Sequence, residues 1–153
     1  MPAVALGNAP HPETYRLRIP GPTTVPERVR MAMARPVYAH RGAEFKAILG
    51  ATLDRLGPVF GTRNRILLHS SSGTGMMEAA LVNVLASGER VLVIENGQFG
   101  ERFSAIARAY GVVVDPLVAP WGEEADPGEV GRRLAGADYR AVVMVHNESS
   151  TGV

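Results

Sequence analysis

The sequence predicts an α/β fold: a three-layer α/β/α arrangement around a mainly parallel sheet, preceded by an extended arm and short helices. Three observations predict it. Beyond Gly61, short apolar runs alternate with longer segments of helical period, which is the rhythm of βαβ units. Runs such as Val91–Ile94 and Ala141–Val145 are continuously apolar, as suits strands covered on both faces. Three of the apolar runs end in Gly, Ser, Thr or Asn, the residue types that turn a strand into the next element.

Along the chain, residues 1–25 carry Pro2, Pro10, Pro12, Pro20 and Pro22 with Gly7 and Gly21, a composition that blocks both helix and central strand and predicts an extended arm. Residues 26–60 predict a helical segment. Pro26 suits a first helical turn, and ERVRMAMAR can form a short helix that stops at Arg35 before Pro36. In GAEFKAILGATLDRLG, the residues Phe45, Ile48, Leu49, Thr52, Leu53 and Leu56 recur every three or four positions, so a second helix is expected, ended by Gly57-Pro58. Residues 61–153 predict the α/β part. It reads as strand RILLHS, helix GTGMMEAALVNVLASG, strand RVLVIEN, helix FGERFSAIARAYG, strand VVVDPLV, a polar turn, helix DPGEVGRRLAG and strand YRAVVMVHN. After that strand the chain runs Glu148–Val153 without the covering helix of a βα crossover, so the expectation is an incomplete domain.

Composition narrows the function classes. Sixteen Lys and Arg against fifteen Asp and Glu leave a net charge of +1, with no basic surplus to drive binding to nucleic acid or anionic membranes. The absence of cysteine excludes disulfides, thiolate metal sites and a cysteine nucleophile. Lys46 is the only lysine and hence the only side-chain amine. No apolar run approaches the ~18 residues of a membrane span and no leader-like start is present, so the expected compartment is the cytoplasm.

The most informative segment is Leu67–Glu78, where LLH leads into SSSGTG and then a helix. Such a junction aims free N–H groups, a helix dipole and hydroxyls at one point, which suits a phosphate; Ser72 or Thr74 as a plain helix cap is the competing explanation. No Gly-Lys-Ser/Thr follows, which excludes a P-loop. Gly73-Thr74-Gly75 with Glu95 approaches a dinucleotide fingerprint, but Glu78 stands where its third small residue belongs. The second junction, ENGQFGER, offers Phe99 either as a stacking face for a planar ring or as a residue folded onto the core. The third, HNESSTG, places hydroxyls at the same sheet edge, able to bond a phenolate or to satisfy their own turn. His146 reads more readily as a turn histidine than as a catalyst. Glu123, Glu124, Asp126 and Glu129 read as a solvated turn and helix start, with no metal-ligand spacing.

Taken together, IPGPTTVPERV, SSGTGMMEAALVNVL, ENGQFGERF and HNESSTGV resemble the N-terminal part of class V aminotransferases, the fold type I pyridoxal-phosphate enzymes that include alanine–glyoxylate and serine–pyruvate aminotransferases. The resemblance implies that Ser72, Gly73 and Thr74 hold the phosphate of pyridoxal 5'-phosphate, that Phe99 lies on its pyridine ring, and that Ser149 bonds near its phenolic oxygen. Phe99 departs from the tryptophan usual in the alanine–glyoxylate branch. Gly21 corresponds to a turn that lines the substrate pocket. The implied reaction moves an amino group between alanine or serine and glyoxylate or pyruvate, in a homodimer. In this family the Schiff-base lysine, the acid at the pyridine nitrogen and the arginine that clamps the substrate lie beyond the matched region. Lys46, on a helix surface, and Asp115 and Glu95, on other strands, do not replace them. This chain is therefore expected to contribute only part of the site, with no catalytic residue of its own and no activity alone. The other readings are a Rossmann-type nucleotide-binding oxidoreductase and an inactive fragment.

Overall fold

The computed structural model describes residues 17–153, which form two compact units that divide between Leu67 and Leu68. Most of the proline-rich arm, including Pro2, Gly7, Pro10 and Pro12, lies outside the described residues.

In the first unit, α1 spans Glu27–Met33 and α2 spans Ala43–Val59. Pro26 precedes the first turn of α1, where its missing N–H costs nothing, and its carbonyl accepts from Val29 and Arg30. Along α2 the expected stripe is half-buried at Phe45, Leu49, Leu53 and Leu56, whereas Ile48 is exposed. Gly57-Pro58 does not end this helix, contrary to the sequence expectation. Proline forfeits a single N–H in the last turn, and Phe60 restores the pattern by donating to Leu56 O at 3.0 Å. The stop comes at Gly61, whose φ of +59° is the left-handed conformation that glycine adopts cheaply.

The second unit runs α3 (Gly73–Val84), β1 (Arg90–Glu95), α4 (Gln98–Ala109), β2 (Val113–Val118), α5 (Pro127–Gly136) and β3 (Ala141–Val143). The three strands form a parallel sheet in the order β2-β1-β3, with Val91 level with Val114 and Ala141. β1 is central and sandwiched. Val91 and Val93 pack with Leu81, Leu85, Ala107 and Val112 on the α3/α4 face, while Leu92 and Ile94 pack with Leu117 and Val130 on the α5 face. The unbroken apolar run of β1 therefore reflects burial on both sides. Pro116 is tolerated because β2 is an edge strand.

Two expectations for strands are corrected. RILLHS pairs with no strand among the described residues, and Leu67 and Leu68 stand 66% and 52% exposed. An apolar run becomes a strand only where a ladder is available to take its N–H and C=O groups, and here none is. The ladder of β3 likewise stops at Val143 rather than Val145, after which the chain turns away into a loop. Within α5, the predicted solvated acids have local duties: Asp126 caps the helix by accepting from Gly128 N–H at 2.8 Å, and Glu129 pairs with Arg132 and Arg133.

Candidate functional site

Because all three strands run parallel, their C-terminal ends share one edge, and the loops that follow β1 and β3 meet there beside the start of α3. A cleft of about 350 Å³ opens at this place, a size within the range of small-molecule sites. Gly73, Phe99 and Ser149 all line it, together with Met77, Phe103 and His146. One residue from each of the three sequence-predicted junctions is thus brought to a single cleft. A larger cleft of about 450 Å³ lies against α5 and is walled mostly by apolar groups such as Ile94, Val130, Val142 and Met144.

The start of α3 combines both explanations of its sequence. Ser72 is the N-cap, its Oγ accepting from Gly75 N–H at 3.2 Å. At Gly75 a Cβ would come within 2.1 Å of Ser71 Oγ, so a larger residue there would turn that hydroxyl aside. Gly73 and Thr74 contribute two first-turn N–H groups that no described residue accepts, and these form the positive end of the helix dipole. Thr74 does not line the cleft; its Oγ1 accepts from Arg102 at 2.9 Å. A hydroxyl that accepts keeps its own O–H, so Ser72 and Thr74 each remain able to donate to an anion. The arrangement fits a phosphate ester.

Phe99 is half-buried and lines the cleft. The Arg102 guanidinium lies 4.8 Å from the ring centroid, within cation–π range. Arg102 thereby joins the two sequence-predicted elements Thr74 and Phe99, a role that its position in ENGQFGER did not reveal. Gly100 lets α4 sit tightly on β1: a Cβ there would lie 2.7 Å from Ile94 O.

The largest feature missed by sequence reasoning is Glu148. Its side chain is 1% exposed, yet it has no cationic partner among the described residues. Instead Oε2 accepts from Phe99 N–H at 3.0 Å and Gly100 N–H at 3.2 Å, while Oε1 accepts from Ser150 N–H at 3.1 Å and Ser150 Oγ–H at 2.7 Å. Ser150 Oγ in turn accepts from Gln98 N–H at 3.0 Å. The first turn of α4 is therefore capped from about fifty residues away. Burial pushes the Glu148 carboxyl upward, but the bonds from Ser150, Gly100 and Phe99 outweigh it and hold the group below the usual glutamate value. Gly97 makes the approach possible, since a Cβ there would meet Glu148 Cγ at 2.4 Å. The only sequence signal was a Glu inside a Ser/Thr-rich turn, which does not identify a distant helix as its partner.

Other sequence-predicted residues fall elsewhere. Gly21 belongs to the first unit, where a Cβ would meet nothing within 4 Å. Lys46 is exposed on α2. His146 is exposed at the rim of the cleft. Glu95 accepts from the buried Ser104 hydroxyl, and Glu78, which stands where the dinucleotide fingerprint needs a small residue, accepts from Tyr110. No helix among the described residues is long and apolar enough to cross a membrane.

Comparison with known proteins adds an independent line. No family model matches the chain. It is 44% identical over 137 residues to an uncharacterised aminotransferase of Methanocaldococcus jannaschii, covering 89% of this chain and 36% of that protein. It is 39% identical over 140 residues to the soluble hydrogenase 42 kDa subunit of Anabaena cylindrica, covering 90% of this chain and 37% of that protein. It is 36% identical over 146 residues to a serine–glyoxylate aminotransferase of Methylorubrum extorquens, covering 93% of this chain and 36% of that protein. The crystal structure of ureidoglycine–glyoxylate aminotransferase from Bacillus subtilis superposes with a TM-score of 0.84 at 33% identity, over 88% of this chain and 35% of that one. The chain thus spans little more than a third of the length of the relatives it matches.

Proposed function

Since this chain is homologous to part of the class V-like pyridoxal-phosphate aminotransferases, we propose that it forms the phosphate- and ring-binding part of such an enzyme, one that moves an amino group between alanine or serine and glyoxylate or pyruvate. The observation that carries this reading is the convergence of Gly73, Phe99 and Ser149 on one cleft beside the start of α3.

Pyridoxal phosphate, when bound, supplies an electron sink for bond-breaking at the substrate's α-carbon. The chain's own residues bind and orient it. The N–H groups of Gly73 and Thr74 donate to the phosphate dianion, reinforced by the helix dipole. The hydroxyls of Ser72 and Thr74 add donors, and Arg102, bonded to Thr74, contributes positive charge nearby. Phe99 offers a flat apolar face to the pyridine ring, and Ser149 donates toward its phenolic oxygen. Gly21 is assigned to the substrate side of the site on the resemblance alone. The chain holds the cofactor, and Lys46, an exposed residue of α2, is assigned no part in proton transfer. In this reading the residues 61–153 are part of the cofactor domain, and the working enzyme is a cytoplasmic homodimer whose amine comes from outside this sequence. A glyoxylate acceptor is favoured by the names of two relatives, the serine–glyoxylate and ureidoglycine–glyoxylate aminotransferases.

Equilibrium titration of the chain with pyridoxal 5'-phosphate, followed by absorbance and induced circular dichroism, tests the reading. Saturable binding that inorganic phosphate competes away is expected, with no saturable binding of NADH. Tight NADH binding without pyridoxal phosphate binding would overturn it in favour of a nucleotide-dependent oxidoreductase.

A further inference from the structure

Phe99 stands in the first turn of α4 and Ser149 in the loop after β3, about fifty residues apart, and a phenyl ring offers Ser149 no hydrogen bond. Their separation therefore has to be set by something else. We propose that Glu148 is a positioning residue that fixes Phe99 and Ser149 relative to each other, so that ring and phenolic oxygen are met at once. The proposal rests on the cofactor reading above.

The connections are direct. Glu148 is the chain neighbour of Ser149, and its Oε2 takes up the backbone N–H of Phe99 itself. Its Oε1 takes up Ser150 on the other side of Ser149, and Ser150 Oγ reaches back to Gln98 N–H. Ser149 is thus bracketed by two residues, both tied to the first turn of α4. The loop has its own closure as well, since Gly152 N–H donates to Glu148 O at 2.8 Å. A carboxylate is suited to this task because it presents only acceptors, whereas all four groups that face it are donors. Glutamine has nearly the same shape but would point two N–H donors at one of those sets. Its effect is thus to loosen one loop against the other without removing either cleft residue. The start of α3, where the phosphate is proposed to bind, has no hydrogen bond to Glu148.

That separation gives the test. The full chain and Glu148→Gln are titrated with two probes, pyridoxamine 5'-phosphate, which has no aldehyde to react with surface amines, and inorganic phosphate. Glu148→Gln is expected to weaken pyridoxamine phosphate about tenfold or more, the equivalent of roughly 1.4 kcal/mol, while phosphate affinity stays within about twofold. Ser150→Ala, which removes the bridge to Gln98 but leaves the carboxylate, should show the same selective loss to a smaller degree and serves if Glu148→Gln does not fold. Unchanged binding of both probes, or an equal fall in both, would overturn the positioning role. Failure of the unsubstituted chain to prefer pyridoxamine phosphate over phosphate would overturn the cofactor reading instead, and the positioning role with it.

Discussion

Gly100 and Gly131 both lie inside helices, and the same substitution should move stability in opposite directions at the two sites. In a helix interior, alanine is favoured over glycine by about 1 kcal/mol. At Gly131, exposed on α5, a Cβ would meet nothing within 4 Å, so Gly131→Ala should stabilise by about 0.5–1 kcal/mol. At Gly100 the Cβ would lie 2.7 Å from Ile94 O and 2.9 Å from Glu95 Cα, both on the central strand. Carbon atoms prefer about 3.5–4.0 Å, so α4 would have to lift by roughly 0.6 Å or more from the strand beneath it. Neither clashing atom belongs to a side chain that can rotate away, which puts the overpacking cost near the upper end of the usual range, about 3 kcal/mol. After the helix-propensity gain, Gly100→Ala should destabilise by about 2 kcal/mol, leaving the two variants roughly 3 kcal/mol apart. Urea unfolding followed by far-ultraviolet circular dichroism measures the difference, and equal midpoints for the two variants would refute the claim that α4 is held against β1 by a missing side chain.

Other expectations follow from the same contacts. Asp126→Ala removes the acceptor for Gly128 N–H and should cost about 1 kcal/mol in urea unfolding, whereas Asp126→Asn, which still caps, should cost less. Glu148, facing only neutral donors, has a folded-state pKa below its ordinary value near 4.5, so its contribution is complete above that pH and disappears as pH falls through the lower folded value. Thermal denaturation should accordingly show stability dropping below about pH 4.5 in the unsubstituted chain, and a smaller drop over that range in Glu148→Gln. Ser72→Ala removes the cap of α3 and should cost about 1 kcal/mol of stability while also weakening inorganic phosphate, measured by calorimetry. Phe99→Ala should weaken pyridoxamine phosphate and leave inorganic phosphate unaffected in the same measurement, because only the ring meets that face.

What the sequence determined by itself is local or periodic. The helix of FGERFSAIARAYG, the doubly buried run of β1 and a helix cap at Ser72 or Thr74 follow from spacing and residue type, because they depend on neighbours within a few positions. The junctions after β1 and β3 could likewise be placed at one sheet edge, since parallel strands share their C-terminal edge, whereas the start of α3 follows no strand of the sheet and needed the tertiary structure to place it there. Tertiary structure decided whatever needed a distant partner. Leu67 and Leu68 look like a strand but find no ladder, Gly57-Pro58 looks like a stop but is spanned by a bond from Phe60, and Glu148 looks like a turn acid but caps a helix far along the chain. A hydrogen bond between residues about fifty positions apart leaves no period in the sequence. Its geometry exists only once the loops have been folded onto one another.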